Sequence, residues 1–206
     1  MGAIGTALVV ITVFYECLCP DSQSFIQHQM LPVMEKLNQY LSVELIPYGK
    51  AHTIETDEGT YTFKCQHGAK ECLGNKIHAC AIKRAPNDLI RVKVVTCMII
   101  NNYIPDEIGQ TCCEKYNISW KSVESCAHGS EGVQLLKEQG DYTNELNPPI
   151  SFVPTVLINK DRSNQRRILK NLLLEVCATL KKVSPTPIPE CGDEPSSVEE
   201  RSLCSN

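Results

Sequence analysis

VVITVFYECLCPDSQSF, residues 9–25, is a β-branched apolar run that stops abruptly at two cysteines and a proline. The apolar stretch Ala7–Tyr15 is too short to span a bilayer and reads as a buried strand. Pro20 suits the first turn of a helix. Beyond it, Ile26, Met30, Val33, Met34 and Leu37 recur at i, i+4, i+7, i+8 and i+11, which is one apolar helical face. Pro32 lies inside that face, so a kink is expected there. A second strand at Val43–Pro47, closed by Tyr48-Gly49, completes a strand, helix, strand order. Such a βαβ unit belongs to a parallel sheet, whose ligands gather at the carboxyl ends of the strands. Cys17 and Cys19 sit at such an end.

The chain of 206 residues has room for one generous domain with a sizeable core. Its net charge of -4 offers no basic stripe for nucleic acid or anionic lipid, so no nucleic-acid partner is expected. Twelve cysteines are far more than an intracellular enzyme usually carries and point to an oxidising compartment. Asn117-Ile118-Ser119 is a glycosylation sequon that fits a secretory route. No Lys or Arg precedes Lys36, so no signal peptide is evident, and a natural leader upstream of Met1 is the expectation.

Further along, the densest cysteine cluster, CQHGAKECLGNKIHAC (residues 65–80), lies within the segment Lys50–Ile90. A helical middle follows: Val92–Ile100 is apolar, and Val133, Leu135 and Leu136 ahead of Gly140 predict a helix with a glycine stop. SFVPTVLIN, residues 151–159, returns to strand composition, and Ile168–Leu180 is periodic as a last helix. Beyond Val183 the chain is rich in Pro, Ser and Glu and too poor in bulky apolar residues to order itself, which predicts a tail.

The chemistry-bearing candidate is Cys19. A nucleophilic cysteine acts as its thiolate, and a helix amino terminus can lower a thiol pKa from about 8.5 into the range of roughly 3.5–7.5. Strand, Cys-Pro-x-x, helix is the context in which a cysteine is redox-active, against the alternative of a structural disulfide. Ser22 stands where a second, resolving thiol would be. Serine can donate a hydrogen bond to the Cys19 thiolate but cannot release a mixed disulfide, which leaves that step to an outside thiol.

Cys17 is the other possible resolver. In extended chain two rises of about 3.3 Å set its Cα roughly 6.6 Å from that of Cys19, near the limit for a disulfide, so the bond would be strained and easily reduced. The alternative is a small buried residue in the strand. Parity bears on the choice: with Cys17 and Cys19 exchanging as a pair, ten cysteines remain for five bridges, whereas a lone free Cys19 leaves an odd thiol, for which Cys204 is a candidate. Adjacent Cys112 and Cys113 are expected to seek separate partners.

Cys65, His67, Cys72, His78 and Cys80 are zinc-type ligands at spacings that match no zinc motif, and structural disulfides are the preferred reading. His28 and His128 are read as surface histidines. Pro154, in cis, would set the Val153 backbone beside a reactive sulfur to align an incoming chain; the alternative is an ordinary trans proline at a strand edge.

CQHGAKECLGNKIHAC resembles the signature of the gamma-interferon-inducible lysosomal thiol reductase family, Cys-Gln-His-Gly-x2-Glu-Cys-x2-Asn-x4-Cys, at Cys65, Gln66, His67, Gly68, Glu71, Cys72, Asn75 and Cys80. YECLCP, VELIPYGKA, GVQLL, FVPTVLIN and LEVCATL resemble that family in order and spacing, so that the similarity covers most of Val9–Cys191. The resemblance implies an α/β fold: a thioredoxin-like core over residues 1–183 with a helical, disulfide-rich insertion at roughly 50–148, ahead of a tail at 184–206. It implies disulfide reduction in lysosomes or outside the cell, and a cis Pro154. The first active-site cysteine of the family matches Cys19 and the second matches Ser22; insect members are similar in carrying Cys-Pro-Asp-Ser.

The function expected is therefore a thiol-disulfide oxidoreductase with Cys19 as nucleophile and Ser22 as its partner, monothiol unless Cys17 resolves. Its partners are disulfide-bonded protein substrates and a small thiol reductant, with no bound cofactor or metal. The alternative, motivated by Ser22, is a secreted disulfide-rich binding protein on the same scaffold without turnover.

Overall fold

The computed structural model describes residues 9–192. At its centre β1 (Val9–Tyr15) pairs in parallel with β2 (Leu41–Pro47), from Val9 opposite Leu41 to Tyr15 opposite Pro47. On its other side β1 pairs antiparallel with β5 (Thr155–Ile158), giving a three-stranded mixed sheet in the order β2-β1-β5. Side chains alternate across a strand, and β1 buries both faces. Val9, Ile11, Val13 and Tyr15 join the main core, whereas Phe14 joins Ile46 and Leu157 in a smaller cluster on the opposite face.

The crossover between β1 and β2 is helical from Pro20 to Leu37: α1 (Pro20–Phe25), a π-helical turn (Ile26–Met30) and α2 (Leu31–Leu37). The disturbance expected at Pro32 takes the form of that π turn, in which the Leu31 N–H donates to Ile26 O, five residues back. Proline lacks an N–H and its ring crowds the carbonyl four residues earlier, and a wider turn just before it relieves both defects.

Between β2 and β5 lie a hairpin, β3 (His52–Glu55) and β4 (Tyr61–Lys64), and five helices: α3 (Ala69–Arg84), α4 (Asp88–Ile100), α5 (Pro105–Lys115), α6 (Trp120–His128) and α7 (Ser130–Asn144). α3, α4 and α7 pack on β2. Disulfides Cys65–Cys72, Cys80–Cys126 and Cys97–Cys112 staple the segment. Closing the 46-residue separation of Cys80 and Cys126 stabilises the fold by about 4 kcal/mol in the chain-entropy picture.

Gly140 does not stop a helix. It lies inside α7 and is buried against Tyr48, where a Cβ would come within 2.7 Å of the ring. The close approach of helix and aromatic requires the glycine, not a terminus. The expected last helix is two, α8 (Gln165–Lys170) and α9 (Leu172–Val183), divided at Asn171, whose Oδ1 accepts from Leu174 N–H at 3.1 Å and caps α9.

The tail expected from residue 184 is described only as far as Gly192. There Cys191 is bonded to Cys177 of α9, and Glu190 accepts from Gln39 and Tyr40, so this stretch is held against the core. Residues 193–206, including Cys204, lie outside the described residues. No helix among the described residues is long and apolar enough to cross a membrane.

Candidate active site

β1 ends at Tyr15, and Glu16, Cys17 and Leu18 turn the chain into α1. Cys19 is the N-cap residue of α1, in extended conformation (φ -75°, ψ 122°), with Pro20 following at the first helical position. Its carbonyl accepts from Gln23 N–H at 3.0 Å and its own N–H donates to Glu16 O at 3.2 Å. The sulfur thus stands at the positive end of the helical run Pro20–Leu37, where negative charge is favoured. The Val153–Pro154 peptide is cis, and Cys19 Sγ lies 3.9 Å from the Val153 carbonyl oxygen. The Cys19 residue is 8% exposed.

Cys17 faces elsewhere. Its N–H donates to Asn75 Oδ1 at 3.0 Å, its carbonyl accepts from Asn102 Nδ2 at 3.4 Å, and its Sγ donates to the Glu71 carbonyl at 3.5 Å. Three groups of one residue are therefore tied to the insertion. Gly74 on α3 lets the sulfur in, since a Cβ there would come within 2.6 Å of Cys17 Sγ. Burial pushes the Cys17 thiol well above its ordinary pKa, and the nearby Glu71 charge adds to the push. Cys17 and Cys19 are not bonded to each other.

Ser22 is fully buried one helical turn beyond Cys19. The hydrogen bond expected from its hydroxyl to Cys19 is not formed; Ser22 Oγ accepts instead from Glu16 N–H at 3.4 Å. Two clefts adjoin the turn. One, of about 320 Å³, is bounded by Asp21, His28, Phe152, Val153 and Pro154, and the other, of about 240 Å³, by Cys17, Leu18, Pro20, His67, Asn102 and Tyr103. A further cleft, about 590 Å³ between Lys181 and Gly192, contains none of these residues.

Beside the turn sits a polar group that sequence reading did not assemble. Glu16 and Glu71 are both buried, and His67 Nδ1 lies 2.6 Å from Glu71 Oε2 and 3.5 Å from Glu16 Oε2. Burial pushes the Glu16 carboxyl up, the Lys50 N–H bond to it acts the other way, and Glu71 and His67 act up and down respectively. Deeper in, Tyr15 OH and His78 Nδ1 share a hydrogen bond at 3.0 Å, and burial pulls His78 down to about 3.

Cys65, Cys72 and Cys80 are all in disulfides, so none is free as a metal thiolate, and His78 is taken up by Tyr15. Cys112 is bonded to Cys97, but its neighbour Cys113 is free and buried, its thiol pushed up to about 12 by desolvation. Separate partners for both are therefore not found among the described residues. On a helix, adjacent residues point about 100° apart, and only Cys112 faces α4. Of the two histidines read as surface residues, His28 is exposed beside the first cleft and His128 pairs with Asp106 at 2.8 Å. Asn117 of the sequon is exposed in the turn after α5.

Residues important to the turn but missed as a set are Glu16, Asn75, Glu71 and Asn102. The available signal was in the signature segment: its Glu71 and Asn75 lie four apart on one face of α3, the face that meets Cys17.

Comparison with known proteins bears on family and fold. The family model described as gamma interferon inducible lysosomal thiol reductase (GILT) matches residues 10–116. A gamma-interferon-inducible lysosomal thiol reductase-like protein of Anopheles gambiae is 36% identical over 206 residues, covering 93% of this chain and 83% of its own. The gamma-interferon-inducible lysosomal thiol reductase of Carassius auratus is 34% identical over 188 residues, 89% of this chain and 72% of its own. Among solved structures, oxidised BdbD from Bacillus subtilis superposes with a TM-score of 0.58 at 10% identity, covering 85% of this chain and 89% of its own. DsbA of Chlamydia trachomatis gives 0.54 at 15% identity, with 74% and 75% covered. At such identities these two report the fold alone, and that fold is thioredoxin-like.

Proposed function

The chain belongs to the gamma interferon inducible lysosomal thiol reductase family, and from that membership we propose that it is a thiol-disulfide oxidoreductase in which Cys19 attacks without a second thiol of its own. The observation that carries the reading is the position of Cys19: N-cap of a helix, with its sulfur beside the Val153 carbonyl, and Val153 itself lining a cleft. An extended substrate chain laid across Val153 brings its disulfide to the sulfur, with apolar walls at Phe152 on one side and Leu18 and Tyr103 on the other.

In the first step the Cys19 thiolate attacks a substrate disulfide, RSSR′; a Cys19–SR bond forms and R′S⁻ leaves, taking a proton from water. Resolution then falls to an external small thiol, R″SH. One R″SH exchanges onto the mixed disulfide and releases RSH, and a second removes R″SSR″ and restores Cys19. The net change is RSSR′ plus two R″SH to RSH, R′SH and R″SSR″. Ser22 has no thiol to contribute; its hydroxyl holds the Glu16 amide and so fixes the turn from which Cys19 projects. Cys17 takes no part in resolution because its sulfur is directed at the Glu71 carbonyl. Disulfide-bonded proteins are the substrates, and four disulfides among the described residues suit a lysosomal or extracellular setting.

The test is reduction of a disulfide-bonded protein at pH 5 with an excess of free cysteine as the external thiol. Wild type should accelerate the reduction, with a rate that rises with thiol concentration, and Cys19→Ala should give only the uncatalysed rate. Equal rates for wild type and Cys19→Ala overturn the proposal. The second reading, a binding protein without turnover, is favoured by the serine at position 22; it stands if wild type merely binds the disulfide protein and falls if wild type turns it over.

A further inference from the structure

Glu16, His67 and Glu71 place two carboxylate oxygens and one imidazole nitrogen within 4.8 Å of one another, beside the redox turn and outside the thiol chemistry. The side chains of both glutamates are 1% exposed, and a single imidazole faces the pair. Two carboxyl groups buried against one imidazole offer more anionic ligand than that single ring can pair, and buried charges are normally paired or bound to a metal.

The orientation of the oxygens is specific. Glu16 Oε1 is held by Lys50 N–H at 2.8 Å and Glu71 Oε1 by His67 N–H at 3.0 Å. Each glutamate therefore turns its Oε2 toward His67 Nδ1. Glu16 Oε2 is buried and has no hydrogen-bond partner among the described residues. Gly49, at φ +64°, leaves room for this side chain, since a Cβ there would lie 2.2 Å from Glu16 Cγ.

We propose that Glu16, His67 and Glu71 form a binding site for one divalent transition-metal ion of the zinc class, with Glu16 Oε2, Glu71 Oε2 and His67 Nδ1 as ligands. Tetrahedral zinc with bonds of about 2.1 Å separates its ligand atoms by about 3.4 Å. The Glu16 Oε2 to His67 Nδ1 distance, 3.5 Å, already matches that edge. The 2.6 Å contact of His67 with Glu71 widens as the ion takes the place of the proton between them. The two backbone amides on the Oε1 atoms serve as the supporting shell that fixes ligand orientation. The His67 side chain is 35% exposed, which gives an entry path and leaves a fourth position for water.

The ion would lock the start of the signature segment to Glu16, whose carbonyl accepts from Cys19 N–H. Its effect is to stiffen the turn that carries the reactive sulfur, without touching that sulfur.

The test is isothermal titration of the full chain with Zn²⁺ alone at pH 7, on wild type, Cys19→Ser, Glu16→Gln and His67→Ala, each also followed by thermal unfolding. Wild type and Cys19→Ser should bind one ion per chain and gain thermal stability. Glu16→Gln and His67→Ala should bind at least tenfold more weakly and lose that gain. His67→Ala alters a partly exposed side chain and serves should Glu16→Gln fail to fold. Absence of stoichiometric binding by wild type, unchanged affinity in both site variants, or loss of binding in Cys19→Ser would each overturn the proposal, the last by assigning the ion to the thiol.

Discussion

The Cys17 amide donates to Asn75 Oδ1 at 3.0 Å, a buried bond between the turn after β1 and a helix 58 residues later. With Asn102 on the Cys17 carbonyl and Glu71 on its sulfur, it makes the insertion a clamp on the turn that carries Cys19. Asn75→Ala leaves that amide buried without an acceptor, at a cost of about 1–3 kcal/mol. Urea unfolding should show that loss. Reaction of Cys19 with a small disulfide should also slow by roughly ten- to hundredfold, because small misplacements of a reacting group are expensive. Unchanged stability and rate would show that the clamp does not matter.

Gly74 sets two effects against each other. An alanine inside an exposed helix gains about 1 kcal/mol over glycine. Here the added Cβ would come within 2.6 Å of Cys17 Sγ and 2.8 Å of Asn102 Nδ2. Overpacking costs about 1–3 kcal/mol, so Gly74→Ala should be net destabilising in urea. A stabilised variant would mean that the turn yields easily.

His78 makes stability depend on pH. Its folded pKa is pulled down to about 3, against an ordinary value of 6.5. Between those values the unfolded chain binds the proton and the folded chain does not, so stability rises with pH through this window and the penalty is absent above 6.5. At pH 5 the penalty is about 2 kcal/mol. In His78→Gln, which keeps a hydrogen-bonding group for Tyr15 OH, the difference in unfolding free energy between pH 7 and pH 5 should shrink by about that amount. An unchanged difference would assign the acid sensitivity to other groups.

Ser22→Cys restores a second thiol one turn from Cys19. After mild oxidation the variant should show two fewer reactive thiols than its reduced form, and its disulfide reduction should need less external thiol than wild type. Identical thiol counts before and after oxidation would mean that position 22 cannot reach the Cys19 sulfur.

Much of this was legible in the sequence because it lay in local patterns. The apolar run Val9–Tyr15, Pro20 and the periodic Ile26 to Leu37 give the βαβ unit, and Cys19 at its junction follows from them. The hairpin His52–Lys64 carries a weak signal although TYTFK alternates, because its strands are only four residues each and largely exposed. Gly140 was read as a stop because a glycine demanded by a neighbouring aromatic looks the same in sequence as one demanded by a turn. Glu16 is harder to read for a different reason: it is an ordinary polar residue until the fold brings it to His67 and Glu71, and no periodicity encodes a contact across about fifty residues.

The most direct test of the redox mechanism is where a disulfide reagent lands. The reduced protein is treated with glutathione disulfide, quenched in acid, and mapped by peptide mass spectrometry without reduction. The expected result is one glutathione on Cys19, with Cys17 still a thiol and the four structural disulfides intact. Glutathione on Cys17, or a Cys17–Cys19 disulfide with free glutathione released, would contradict a single-thiol mechanism at Cys19.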